Sequence, residues 1–219
     1  MKYESRKRMK RKRNVIWGFI GCCLMIAACV LFLYNRQEQQ RAEIASKEMM
    51  GKVVEKIKEY QQDQSLSQEN DAKVPILSKK RKMPVVEIDG NDYIGFIEIP
   101  SLELKLPVIA DWNEQQLKIA PCRYSGDLYT EDLVIMAHNY RQHFGKLYQL
   151  RERETVFLTT MDGNTFQYTV TTVEILNSED VEIMTAGEYD LTLFTCDYSG
   201  NNRVAVRCNT VYTEHNDTK

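Results

Sequence analysis

Cys196, His138 and Arg203 are the residues of this sequence whose types combine into covalent chemistry. A cysteine attacks as its thiolate, and a free thiol titrates at about pH 8.5, so it needs help near neutrality. A guanidinium beside it favours the ionised sulfur and steadies an oxyanion once a carbonyl is attacked. An imidazole titrates near neutral pH and hands a proton to a leaving amine. The three together suffice for acyl transfer through a thioester. Taken singly, each has a commoner role: a small buried hydrophobe, a hydrogen-bonding cap and a surface charge. Their conjunction is what carries the reading.

Each of the three lies at an end of a strand-like run, where a side chain reaches the rim of a sheet while the backbone behind stays fixed. The apolar run Leu133-Val-Ile-Met-Ala ends at His138, Leu191-Thr-Leu-Phe-Thr ends at Cys196, and Arg203 opens Val204-Ala-Val-Arg-Cys208. Between the last two runs, Asp197-Tyr-Ser-Gly-Asn-Asn202 is rich in turn residues. If it joins antiparallel strands, the register sets Cys196 opposite Arg203, Phe194 opposite Ala205 and Leu193 opposite Val206, and opposed side chains share a face. Arg207 then falls opposite Thr192, about 13 Å further along, which makes Arg203 the partner of the thiol. His143, the rival histidine, lies past its strand in a loop or short helix.

The remaining elements must hold these ends. Tyr93–Ile99 is a strand cut off by Pro100, and Leu102, Leu104, Leu106 and Val108 alternate with polar or turn residues. Thr155–Thr160, Asp162-Gly163 and the run from Thr165 form a hairpin signal. In its second arm Phe166, Tyr168 and Val170 take one parity and Val173 and Ile175 the other, so a bulge is expected near Thr171–Thr172. Only Asn113–Leu117 and Phe144–Leu150 read as short helices. About eight strands with few helices indicate a mainly β fold, a closed barrel or a sandwich.

These segments resemble a sortase. The resemblance runs from about Tyr93 to Val211 and rests on Tyr93-Ile-Gly-Phe-Ile-Glu-Ile-Pro100, Leu106-Pro107-Val108, Leu133–His138-Asn139, Leu191-Thr-Leu-Phe-Thr-Cys196 and Asn202-Arg203-Val-Ala-Val206. It implies an eight-stranded β-barrel with catalytic His138, Cys196 and Arg203, and Thr195 as a supporting residue beside the nucleophile. It also implies a transpeptidase that cleaves an LPxTG-like sorting signal of exported proteins and passes the acyl part to an amine of a peptidoglycan precursor or a pilin. Ala137 stands where many relatives have Gly, and Asn139 is reminiscent of class B. The segment from His138 to Cys196 is short for the extra helix of that class, so the chain reads as class B-like or a related short sortase. Asp111-Trp112 lies inside the domain rather than before it, and the tail after Tyr212 is polar, which disfavours pilus polymerisation. Some relatives are activated by calcium through clustered carboxylates; Glu179, Asp180 and Glu182 are read instead as a solvated acidic loop, and no cofactor is expected.

The N-terminal part explains where such a domain would work. Val15–Tyr34 is 20 residues without a charge, the length that crosses a bilayer core. Residues 1–14 carry eight cations against Glu4, a net of +7, which orients the N-terminus to the cytoplasm and the bulk outside. An uncleaved signal anchor fits better than the lipoprotein-like Ile26-Ala27-Ala28-Cys29, because Val30-Leu31-Phe32-Leu33 follows that box. The mean hydropathy of −0.46 excludes a polytopic membrane protein. From Met83 onward 22 acidic and 10 basic side chains leave a net of −12, which argues against nucleic-acid binding. The expected organisation is a basic tail 1–14, a span 15–34, a helical stalk and linker 35–83, a catalytic barrel 84–213 and a polar tail 214–219.

The stalk shows a stripe at Met50, Val53, Val54, Ile57 and Tyr60, with Glu43/Lys47 and Glu48/Lys52 pairs, and reads as a mostly solvated spacer rather than a docked or dimerising helix. From Gln64 to Met83, Pro75 and the run Lys79-Lys80-Arg81-Lys82 mark a flexible linker. Of the six cysteines, Cys22, Cys23 and Cys29 lie in the span. That leaves the odd set Cys122, Cys196 and Cys208, in which Cys122 and Cys208 are inert thiols by default and a disulfide is the alternative. No cysteine or histidine spacing suits zinc. Two other functions stay open: a hydrolytic cysteine peptidase on the same fold, and an inactive tethered barrel that binds surface proteins.

Overall fold

Alternating apolar residues and tight turns build one closed sheet. The structure, a computed structural model, describes residues 2–67 and 82–211, with only the backbone course for 2–15 and 64–67. Pro75 and Lys79–Arg81 of the expected linker, and the tail from Tyr212, lie outside the described residues. A helix, α1 (Lys2–Ser67), precedes nine strands: β1 (Val86–Ile88), β2 (Asn91–Ile99), β3 (Leu104–Ile109), β4 (Cys122–Ser125), β5 (Leu133–Met136), β6 (Thr155–Thr160), β7 (Thr165–Asn177), β8 (Leu191–Cys196) and β9 (Asn202–Thr210). Two short helices, α2 (Glu114–Leu117) and α3 (Val181–Met184), and three single 3₁₀ turns interrupt them.

The strand order is β1-β2-β3-β4-β5-β8-β9-β7-β6, and β6 returns to pair with β2. Strands β2 to β9 therefore close into an eight-stranded barrel, with β1 added at one end of β2. The β3–β4 and β5–β8 pairs are parallel and the others antiparallel. Closure removes sheet edges, and the interior is filled by side chains such as Ile97, Ile135, Leu158, Leu193 and Val206.

Of three register shifts among the described residues, one lies in β4 between Arg123 and Ser125 and the other two set which side chains face in. The expected one lies in β7, where the pairing with β9 shifts between Val170 and Thr172. The second is in β2 at Gly95, and it lets Ile94 and Ile97 both point into the barrel although their parities differ. Gly95 has φ +145°, and a Cβ there would stand 1.9 Å from the Thr159 carbonyl oxygen, so no other residue fits. The short strand β4 shows no alternation and lies between Pro121 and Gly126, which hides it in the sequence.

The chain divides into two compact units, Met1–Arg41 and Ala42–Lys219. In the first, the apolar side chains from Ile16 to Tyr34 are exposed, and the helix is long and apolar enough to cross a membrane. In the second, α1 from Ala42 is docked on the barrel, which differs from the solvated spacer read from the sequence. Ala42, Ser46, Val53 and Ile57 are buried and Met49 half-buried, while Tyr60 is exposed. Val53 and Ile57 pack with Ile88, Tyr93, Ile109 and Leu117 on the outer side of the sheet. Lys52 bridges Glu48 and Asp89 of the β1–β2 turn, at 2.8 and 2.6 Å.

Docking makes a stability difference between helix faces. Ile57→Ala is expected to cost about 2–4 kcal/mol in denaturant unfolding of the full chain in detergent. Lys58→Ala, on the exposed face, should stay within about 0.5 kcal/mol. Equal small effects from both would show that this face is solvated.

Candidate active site

Sheet register brings the three chemistry-bearing residues together. Antiparallel β8 and β9 pair Thr192 with Arg207, Phe194 with Ala205 and Cys196 with Arg203, the register read from the sequence. Parallel β5 and β8 pair Val134 with Thr192 and Met136 with Phe194, and the same offset carried two residues on sets His138 level with Cys196. Three rows thus cross neighbouring strands, about 7 Å apart: Val134, Thr192 and Arg207; Met136, Phe194 and Ala205; His138, Cys196 and Arg203.

These rows lie on the outer face of the barrel, because the alternate residues Ile135, Leu193 and Val206 fill the inside. The expected rim is therefore a groove on the outer wall at the strand ends. His138, Cys196 and Arg203 line one cleft of about 310 Å³, and all three are half-buried. That volume suits a peptide-sized ligand segment. Met136 and Phe194 form its floor. Tyr124 meets Phe194 edge-on at 5.3 Å and Trp112 stacks on Tyr124 at 5.8 Å, so one wall is aromatic. Val181 and Met184 of α3 form another wall.

Local bonds hold the row of His138, Cys196 and Arg203. Thr195 Oγ1 donates to the Ala137 carbonyl at 2.8 Å, and the Ala137 N–H donates to the Phe194 carbonyl at 3.2 Å. The parallel ladder is thereby prolonged to the peptide before His138, and Thr195, 3% exposed, sits beside Cys196. Asn139 Nδ2 donates to the Asp197 carbonyl at 3.2 Å, joining the segment after His138 to the residue after Cys196. The Asp197 carboxylate accepts from Ser199 Oγ and Asn202 Nδ2, which closes the β8–β9 turn and holds its pKa below the ordinary value. Arg203 Nη1 donates to the carbonyls of Gly200 and Asn202 at 3.2 and 3.1 Å.

His143 takes another place. It is fully buried, and the rings of His138, Tyr140 and His143 follow one another at 4.8 and 5.6 Å between centroids. Cys122 and Cys208 are free, buried in separate apolar clusters, and burial pushes both thiols up to about 12. In the acidic segment Glu179 and Glu182 are exposed, while Asp180 accepts from the backbone and side chain of Asn177 and α3 follows at once. Among the described residues no group of three or more His, Cys, Asp or Glu is arranged to hold a metal ion. Sequence reasoning missed Trp112 and Tyr124 as wall residues and α3 altogether, since a four-residue helix has no periodicity to detect.

Comparisons with known proteins follow this geometry. A family model described as Sortase domain matches residues 97–211. Among solved structures, a Clostridium perfringens Sortase D5 transpeptidase is similar with TM-score 0.56 at 15% identity, over 77% of this chain and 99% of that chain. Streptococcus pneumoniae Sortase C is similar with TM-score 0.52 at 20% identity, over 76% and 96%. At these identities the likeness concerns the fold. The search of curated proteins finds no match.

The buried His143 makes stability depend on pH. Burial, then repulsion from His138, lowers its pKa from 6.5 to about 4, and a weak contact with the Ala42 backbone pulls the other way. The unfolded chain takes up this proton near pH 6.5 and the folded chain only near 4, so the stability of the neutral ring is full above pH 6.5 and is lost as pH falls toward 4. The loss amounts to roughly 3 kcal/mol. Urea midpoints measured between pH 7 and 4.5 should fall steeply in the wild type and less in His143→Phe. Parallel falls would place the sensitivity elsewhere.

Proposed function

Since the chain belongs to the sortase family, its domain spanning residues 97–211, we propose that it is a membrane-anchored cysteine transpeptidase. In this reading it cleaves an LPxTG-like sorting signal of exported proteins and transfers the acyl part to an amine of the cell wall. The observation that carries it is the row His138, Cys196, Arg203, formed by two strand registers in a single half-open cleft. A nucleophile, a proton carrier and a fixed cation side by side are what thioester chemistry needs.

The Cys196 thiolate attacks the carbonyl of the signal threonine, and Arg203 steadies the oxyanion that forms. Collapse breaks the C–N bond while His138 protonates the departing glycine amine. The acyl part is then held as a thioester on the sulfur. An acceptor amine attacks it, His138 takes the amine's proton, and the C–S bond breaks to return the thiolate. Thr195 and Asn139 act through the backbone, fixing the offset between the strands that bear His138 and Cys196.

Place and partners fit this reaction. The uncharged Val15–Tyr34 segment, preceded by a basic tail, would anchor the chain with the barrel outside the membrane. The apolar floor of Met136 and Phe194, with the aromatic wall of Tyr124 and Trp112 beside it, suits an extended peptide with an apolar side chain. No cofactor takes part in any step. A net of −12 from Met83 onward favours an ammonium-bearing acceptor over an anionic one.

The full chain in detergent, given a library of LPxTG-type peptides with and without an amine acceptor, tests the proposal by mass spectrometry. A ligated product is expected. A free acid alone would make the protein a peptidase, and a peptide library left intact would make it a binder. Cys196→Ala should give no product, His138→Ala should slow turnover about 10²- to 10⁴-fold, and Arg203→Ala about 10²- to 10³-fold.

A further inference from the structure

Arg207 is the most deeply placed cation of the barrel and has no part in the steps above. It is 3% exposed although it lies on the outer face, two rows below Cys196. Its Nε donates to Glu174 Oε1 at 2.6 Å, Nη1 to Thr192 Oγ1 at 3.1 Å and to the Met184 carbonyl at 3.0 Å, and Nη2 to the Ile183 carbonyl at 2.9 Å. The Tyr189 ring covers it, 5.5 Å from the guanidinium carbon.

These contacts have a direction. Glu174 and Thr192 belong to the sheet, on β7 and β8, whereas Ile183 and Met184 belong to α3. A four-residue helix has no stability of its own, and its last carbonyls are the groups that lack intrahelical partners. Arg207 supplies donors to two of them from below. Met184, held in this way, is buried against Phe194 and lines the cleft together with Val181. Glu182 and Ile183, the residues between them, are exposed and do not line the cleft.

We propose that Arg207 is a positioning residue for substrate binding: it clasps α3 to the sheet and so holds the Met184–Val181 wall against the peptide to be cleaved. The proposal rests on the reading of the cleft as the acyl-donor site. Only arginine meets the geometry, because four acceptors on three elements require the planar fork of donors. The clasp acts on binding. It stands about 13 Å from the row of Cys196 and touches none of the reacting groups.

The test measures peptide turnover, alkylation of Cys196 by iodoacetamide, and amide hydrogen exchange in the full chain in detergent. Arg207→Met is expected to raise KM for the peptide about 10-fold or more, with kcat changed less than about twofold. Alkylation, which needs no wall, should keep its wild-type rate. Exchange at residues 184 and 185 should quicken while the β8 and β9 amides stay protected. Arg207→Lys, keeping the charge but not the fork, should fall between the two. Met184→Ala should raise KM with exchange unchanged, and it serves if Arg207→Met does not fold. An unchanged KM in Met184→Ala and Arg207→Lys overturns the proposal, as does a fall in kcat and alkylation together with exchange rising throughout the barrel. If the wild type turns over no peptide of the library, the reading of the cleft fails, and the clasp stands or falls on whether exchange quickens only at α3.

Discussion

Strand register is the constraint on which this molecule depends. Cys196 ends β8, Arg203 lies in β9 and His138 follows the end of β5 by two residues, and the three are neighbours because β5–β8 and β8–β9 keep one offset each. A slip of one residue in either ladder would turn one member of the row into the barrel. Apolar alternation opposes such a slip, since it would bring Leu193 or Val206 to the surface and Phe194 inward. Polar bonds add a second lock at the open end, where alternation stops: Thr195 to the Ala137 carbonyl, Asn139 to the Asp197 carbonyl, and the Asp197 side chain across its own turn. What these bonds hold is an offset, and each of them acts on that offset rather than on the side chains of the row.

A filled barrel leaves no room for chemistry inside, so the cleft has to be built on the outer wall. The sheet supplies a floor and the reactive row, and other pieces must supply the sides. One side is an aromatic stack of Trp112 and Tyr124 on Phe194, stiff because flat rings lose little freedom on packing. Another side is α3, which is too short to be rigid alone and is fastened by a guanidinium from the sheet beneath. Both sides are therefore fastened to the strands that carry the row, so the walls of the cleft and the row of His138, Cys196 and Arg203 share one support.

The parts that could be read from the sequence are those governed by local pattern. Period-two alternation with a turn-rich hexapeptide gave the β8–β9 pairing and chose Arg203 over Arg207. Switched parity announced the β7 bulge, and Asp162-Gly163 announced the hairpin. What escaped depends on contacts distant in the chain. The docked face of α1 runs through Ala42, Ser46, Met49, Val53 and Ile57; it shares Val53 and Ile57 with the expected stripe, leaves Met50 and Val54 half-buried beside it and Tyr60 exposed. Its buried end is marked by Ala and Ser, small residues that permit close approach and that hydrophobicity overlooks. Strand β4 is too short to show a period. Arg207 looked like a misplaced alternative to Arg203 because its partners, Glu174, Thr192 and the α3 carbonyls, are gathered only by the fold.

The two arginines of β9 divide the work of one side-chain type. Arg207 is buried and engages Nε, Nη1 and Nη2 on groups of the protein, and such a cation is costly to disturb because every acceptor would be left unpaired. Arg203 is half-exposed, and its hydrogen bonds to the described residues run through Nη1 alone, to two carbonyls of the adjacent turn. Those carbonyls border solvent and can bond to water instead, so exchanging them for a ligand oxygen costs little. The same fork of donors is therefore committed in one place and available in the other. Burial makes the difference, and burial follows from where α3 crosses the sheet: it covers the row of Arg207 and stops short of covering the row of Cys196.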